Sequence, residues 1–129
     1  MFFFEAWGYD DYGGDASNVD LTNVKKIMCG GYGACVALKN DGTAEAWGHS
    51  SFGGDASNVA LTNVADIMCG GNACAVLYND GTAATWGNGE RGGNDSGVDL
   101  TNVASIMCGG NACVALKNDG TAEVTLQKN

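Results

Sequence analysis

Apolar and polar positions along the chain fall into short bursts rather than long stripes. Residues 64–69 make a β-favouring run that meets Gly70-Gly71, residues 74–78 make a second that meets Asn79-Asp80-Gly81, and residues 82–86 make a third that ends at Trp86-Gly87. Runs this short, punctuated by Gly-Gly and Asp-Gly, predict strands joined by tight hairpins, with Asp-Gly supplying the positive φ angles of the turn. Together they predict one three-stranded antiparallel meander. The stretch from each Trp-Gly to the next Leu-Thr-Asn-Val carries Gly, Asp, Ser and Asn without a period, which predicts a connection. No part of the pattern calls for a helix.

The meander recurs. Trp-Gly stands at Trp7, Trp47 and Trp86, spaced 40 and then 39 residues; Leu-Thr-Asn-Val begins at Leu21, Leu61 and Leu100; Ile-Met-Cys-Gly-Gly begins at Ile27, Ile67 and Ile106; Asn-Asp-Gly-Thr begins at Asn40, Asn79 and Asn118. A fixed period of this size marks a repeat architecture. The extra residue of the first copy falls between Cys29 and Cys35, where CGGYGAC replaces CGGNAC, and predicts a loop there. A sheet of about 40 residues cannot bury both faces alone, and small residues such as Ala44, Ala46, Ala75 and Ala83 let neighbouring sheets approach, so the copies are expected to stack. The reading is all-β: one repeat domain over residues 1–129, with an N-terminal strand at 1–8 and repeats at 9–48, 49–87 and 88–126. The three tandem sheets form part of a propeller-like ring or an open array.

The ordered set Leu-Thr-Asn-Val, Ile-Met-Cys-Gly-Gly, Asn-Asp-Gly-Thr and Trp-Gly resembles the regulator of chromosome condensation repeat over residues 5–124, including short bacterial relatives such as the propeller-type β-lactamase inhibitor. The resemblance implies a β-propeller used as a protein-binding surface. Where the family pattern has His-Ser after the double glycine, this chain has Ala34-Cys35, Ala73-Cys74 and Ala112-Cys113, so the family's histidine network is missing. A closed propeller takes ~4 to 8 blades, and three repeats do not close a ring. Both ends are atypical, as capping or docking ends are expected to be: residues 2–7 read as a lone third strand, and the last copy has no Trp.

Fifteen Asp and Glu against six Lys and Arg leave a net charge of −9. Such a surface repels phosphate backbones and anionic headgroups, which argues against nucleic acid as a direct partner. The longest apolar run, Ala73–Tyr78, is far short of the roughly 20 residues a membrane helix needs, so direct membrane insertion is not expected. The opening Met-Phe-Phe-Phe-Glu-Ala-Trp has neither the basic segment nor the apolar length of a signal peptide.

The six cysteines fall as Cys29 with Cys35, Cys69 with Cys74, and Cys108 with Cys113, each pair flanking a Gly-Gly hairpin. Three uses are open: buried thiols filling space between sheets, cross-strand disulfides, or half of a metal site completed by another sheet. Packing comes first, because free Cys is among the most buried residue types. Disulfides would imply an extracellular space or an organelle lumen, and reduced pairs the cytoplasm. Asp10, Asp11, Asp15 and Asp20 gather acid in the first connection, but their spacing matches no calcium loop, so a solvated acidic surface is expected and neither metal nor cofactor is assigned. Asn94-Asp95-Ser96 fits the glycosylation acceptor pattern, a triplet that arises easily in an Asn-rich chain. His49 is the only imidazole and stands beside Ser50 and Ser51; without a paired acid or a positioned nucleophile, no catalytic residue is assigned and no enzyme is expected.

Positions identical in all copies serve the shared fold, so recognition is expected where copies diverge. After the Trp-Gly pairs stand Tyr9-Asp10-Asp11-Tyr12, His49-Ser50-Ser51-Phe52 and Asn88-Gly89-Glu90-Arg91. Tyr, Phe and Arg are typical interface anchors, so Tyr9, Asp10, Asp11, Tyr12, Phe52 and Arg91 are the expected contacts. Covering of adjacent sheets is the alternative role for Tyr12, Phe52 and Arg91. Phe2, Phe3 and Phe4 form a second expected docking element, a strand whose two faces and edge need cover. The expected function is a non-enzymatic protein-binding or structural subunit, with a protein partner or as a homo-oligomer. A Cys-based redox or metal-responsive protein is one alternative. A nucleotide-exchange-like regulator, implied by the resemblance alone, is another.

Overall fold

Two kinds of hairpin build every sheet, and each follows from its local sequence. The computed structural model describes residues 5–9, 12–13 and 15–125. Strands β1 (Val24–Cys29), β2 (Ala34–Lys39) and β3 (Ala44–Gly48) pair in order as a first antiparallel sheet; β4 (Val64–Cys69), β5 (Ala73–Tyr78) and β6 (Ala83–Gly87) form the second, and β7 (Val103–Cys108), β8 (Cys113–Lys117) and β9 (Ala122–Val124) the third. In the Asn-Asp-Gly hairpins Lys39 N donates to Thr43 O at 2.8 Å and Gly42 N to Lys39 O at 3.1 Å. Only the glycine takes a positive φ, 85° at Gly42, 87° at Gly81 and 88° at Gly120. The aspartate's part differs from the expected one: Asp41 Oδ1 accepts both Thr43 N and Thr43 Oγ1, which locks the turn through its side chain.

The double-glycine hairpin does more than turn the chain. A side chain on Gly30 would strike the carbonyl of Gly70, and one on Gly70 the carbonyl of Gly109, so these glycines let successive sheets touch backbone to backbone. Tyr32 N donates to Gly71 O and Gly71 N to Gly109 O, each at 3.2 Å. The extra residue of the first copy is absorbed in this hairpin, where Gly33 takes a φ of 99°.

The three sheets stack face on face. The back of the first sheet, carrying Ala34, Val36, Leu38 and Ala44, packs on the front of the second, carrying Val64, Ile67, Cys74, Val76 and Trp86. Ala73 and Ala75 on the back of the second sheet meet Ile106, Cys108 and Cys113 on the front of the third. The front of the first sheet, with Val24, Cys35, Ala37 and Trp47, is covered by Ala16, Val19 and Leu21 of its own connection. Within each unit the Leu-Thr-Asn-Val asparagine is left-handed, with φ of 55–56° at Asn23, Asn63 and Asn102, and its carbonyl accepts the N–H of the Asn that opens the hairpin turn.

The cysteine pairs are disulfides, one across each double-glycine hairpin: Cys29–Cys35, Cys69–Cys74 and Cys108–Cys113. Each joins directly opposed residues of its ladder, with Cα atoms 4.0–4.1 Å apart. The thiol-packing expectation is thereby corrected; Cys29 is in fact exposed. Before β1 the expected N-terminal strand is not formed over its described part: residues 5–8 join no sheet and Trp7 is 86% exposed. Phe2, Phe3 and Phe4 lie outside the described residues.

Candidate partner-binding surfaces

Trp47 and Trp86 stand next to last in the third strands of their sheets, and each indole N–H donates to a glycine carbonyl of the preceding loop, Trp47 to Gly13 O and Trp86 to Gly53 O. The third copy makes the same bond without a tryptophan. Thr125 stands at the matching position, and its Oγ1 donates to Gly92 O at 3.0 Å while accepting Cys113 N at 3.1 Å. All three post-Trp-Gly loops are thus tied to their sheets at one point, which fixes where the copy-specific residues between them project.

Those residues form a row of rings. Tyr9 and Tyr12 have centroids 5.3 Å apart, Tyr12 stacks on His49 at 5.4 Å, His49 meets Phe52 at 4.7 Å, and Phe52 meets Tyr32 at 5.6 Å. Phe52 is held by a single 3-10 turn, Ser50–Phe52, which His49 opens by accepting Ser51 N on its side chain. Tyr12 lies directly over Gly33, the first copy's extra glycine, where any Cβ would overlap the tyrosine. The insertion and the aromatic row are therefore one feature. Tyr9, Tyr12 and Tyr32 are more than half exposed. Of the expected contact residues, Tyr9, Tyr12 and Phe52 are brought together; Arg91 stands apart, its Nη1 donating to Asn111 Oδ1 at 2.6 Å. Asp10 and Asp11 lie outside the described residues. His49 and Tyr32 were not among the expected contacts, although Tyr32 also changes from copy to copy, to Asn72 and Asn111.

A second surface lies on the back of the third sheet. The hexapeptide Ala-Cys-Val-Ala-Leu-Lys occurs twice, at residues 34–39 and 112–117. In the first sheet Val36 and Leu38 are sealed at 0% and 1% exposure; in the third their counterparts Val114 and Leu116 are 37% and 47% exposed, with Met107 and Val124 beside them at 61% and 49%. Identical residues differ because the first has a sheet behind it and the third does not among the described residues. The result is a contiguous apolar face, Met107 beside Val114 and Val114 beside Val124, on a strongly acidic chain.

Much of the acid is committed locally. Asp15, Asp55 and Asp80 accept the backbone N–H two residues on, as Asp41 does. Asp20 is held down to about 2 by the Thr22 hydroxyl and then by Lys39, and Asp99 to about 2 by Lys117 and then by Thr101. Burial pushes the Lys39 ammonium down, but its hydrogen bonds to Asp20 and Glu45 more than offset this, and the group ends raised.

No family model and no curated protein matches the chain. Solved structures do match. Human WBSCR16 superposes with a TM-score of 0.53 at 25% identity, over 79% of this chain and 34% of that one. Yeast RCC1 (Prp20), in its complex with Kap60, gives a TM-score of 0.57 at 20% identity over 81% of this chain and 32% of its own. The repeat is RCC1-type in fold. Prp20p of Saccharomyces cerevisiae, characterised for its binding to Gsp1p and histones, agrees with a TM-score of 0.57 at 18% identity over 81% of this chain and 33% of that protein. The chain thus spans about a third of the length of these RCC1-type structures.

Proposed function

We propose that this chain is a non-enzymatic, protein-binding or structural module of stacked RCC1-type sheets that works inside a larger assembly. The observation that carries the reading is the uncovered back of the third sheet: Val114 and Leu116 are open where the same residues, Val36 and Leu38, are sealed on the back of the first sheet. Fully burying an exposed large aliphatic side chain contributes roughly 1.5–3 kcal/mol; these side chains are 37–61% exposed, so covering them contributes about half of that each, and it favours a bound state. The aromatic row supplies rigid anchors of the kind that dominate protein interfaces. The one imidazole supports a binding role rather than catalysis, since His49 is packed between Tyr12 and Phe52 and caps a turn. Three disulfides support an oxidising setting, such as an extracellular space or an organelle lumen.

Light scattering on the purified chain tests the proposal. Association above 13.2 kDa, or retention of a protein partner, is expected, together with reversion to a monomer when Val114→Glu and Leu116→Glu are combined. A well-folded, monodisperse 13.2 kDa monomer with no partner would overturn it.

A further inference from the structure

The first and second sheets each bound a cleft with the connection that follows them, and the two clefts have diverged. The first has a volume of about 340 Å³ and is lined by Ala46, Ala56 and Glu45, among others. Glu45 is paired there with Lys39 at 3.3 Å, and Lys39 also reaches Asp20 at 3.0 Å, so an ammonium group sits among carboxylates beside that cleft. The third copy repeats the arrangement with Lys117 on Asp99 at 2.8 Å.

In the second copy every member of this group has changed. Tyr78 stands where Lys39 and Lys117 stand, Ala60 replaces Asp20, and Ala84 replaces Glu45. The ion pair gives way to a hydrogen bond from the Tyr78 hydroxyl to Ala60 O at 2.7 Å. The cleft, now about 550 Å³, is lined by Asp55, Asn58, Tyr78, Thr85, Trp86 and Asp95. Thr85 and Asp95 replace the apolar pair Ala46 and Ala56, and Asp95 Oδ2 accepts Thr85 N at 2.9 Å. Thr85 is 5% exposed, and its hydroxyl oxygen has no hydrogen-bond partner among the described residues. An unpartnered buried hydroxyl is costly, and Thr85 stands in the wall of the cleft with that oxygen covered.

We propose that this second cleft is a binding site for a guanidinium group. Its lining holds two carboxylates and no Lys or Arg. Asp55, Asp95 and the lone pairs of the Tyr78 hydroxyl are acceptors in the lining, and a guanidinium carries five N–H donors in a planar fork. Tyr78, which is only partly buried, adds an aromatic face on which such a plane can stack. Burial, then Asp95 and Asp80, raises the Tyr78 phenol, so it stays protonated and neutral. Lys39 and Lys117 answer carboxylates of their own copies, which the second copy lacks; Asp55 and Asp95 face this cleft with no cation in its lining, and the proposed cation comes from outside, either as a free small molecule or as an arginine side chain of a bound protein.

The test is an amide-shift titration of the full chain with n-butylguanidinium, with butylurea as the neutral match and a blocked Gly-Arg-Gly peptide as the second arm. Saturable shifts at Thr85, Asp95 and the Trp86 indole are expected. Binding should weaken about tenfold or more in Asp95→Asn, the loss expected of one charge-assisted hydrogen bond. The double variant Thr85→Ala with Asp95→Ala restores a pair the chain already uses in its first cleft, so it should fold and fail to bind. Asp20→Asn, at the first copy, should bind like the parent. Tighter binding of the peptide than of n-butylguanidinium assigns the site to a protein's arginine; equal binding assigns it to a free cation. Absence of saturable shifts at millimolar n-butylguanidinium, equal shifts with butylurea, or undiminished binding by the Thr85/Asp95 double variant would overturn the proposal.

Discussion

Leu38 and Leu116 occupy the same ladder position of two copies, opposite Ala44 and Ala122, and this pair separates what a side chain is from where it sits. Leu38→Ala opens a cavity between two packed sheets and should cost about 2–5 kcal/mol in urea unfolding, whereas Leu116→Ala in the isolated chain should stay within about 0.5 kcal/mol. Equal losses would mean that both faces are covered. A second residue-scale expectation concerns acid. Asp20 and Asp99 titrate near 2 in the folded chain against an ordinary value of 3.8. A depressed carboxylate contributes stability that is complete above its unfolded value and is lost as pH falls through its folded value. Thermal melts should therefore show the double variant Asp20→Asn with Asp99→Asn less stable than the parent near neutrality. That gap should close between about pH 4 and pH 2.

At the level of the hairpin, sequence was most informative where one residue type had one geometric job. Glycine at Gly42, Gly81 and Gly120 marked its turns correctly because only the αL position needed it. The Asn of Leu-Thr-Asn-Val was not read as left-handed, although asparagine is the side-chain-bearing residue that adopts that region most readily. The disulfides were undecided for a physical reason: spacing places two cysteines on opposite strands but does not tell whether their Cβ atoms face each other across one rung. Loss of the last Trp hid a conserved bond, since a threonine hydroxyl makes the indole's contact with Gly92 O. Three of the five rings, Tyr9, Tyr12 and Phe52, were legible as loop divergence, and His49 lies in one of the same loops. Tyr32 was not, because it enters the row from a different hairpin. Each disulfide closes a loop of five or six residues, and chain-entropy estimates give about 2 kcal/mol for loops this short. Cys69→Ala with Cys74→Ala should lower unfolding stability by that amount, while a loss near zero would assign stability to the packed sheets alone.

For the molecule as a whole, what the repeats share and what they vary divide the labour. Stacking is carried by the shared glycines and alanines, and recognition is expected on the varied rings. Tyr12→Ala combined with Phe52→Ala should weaken binding of a co-purifying protein partner by about 2 kcal/mol or more, while the exposed control Lys25→Ala should change it little; titration against that partner decides. Unchanged affinity in the folded double variant would move the interface to the face of Met107, Val114, Leu116 and Val124.

That face has one more consequence, which lies in its symmetry. The front of each sheet carries the cysteine bridge and the Trp or Thr at the end of its third-strand segment opposite a cysteine, and the back carries Ala, Val and Leu, so each of these junctions joins unlike surfaces. No two-fold axis can pass through such a contact. A further unit that docks on the third sheet as the second docks on the first does so with its own front, and it then exposes a fresh back of the same kind. Association through this junction is therefore heterologous: it runs on as an open file, or it ends only where the rotation from sheet to sheet brings the last back round to the first front.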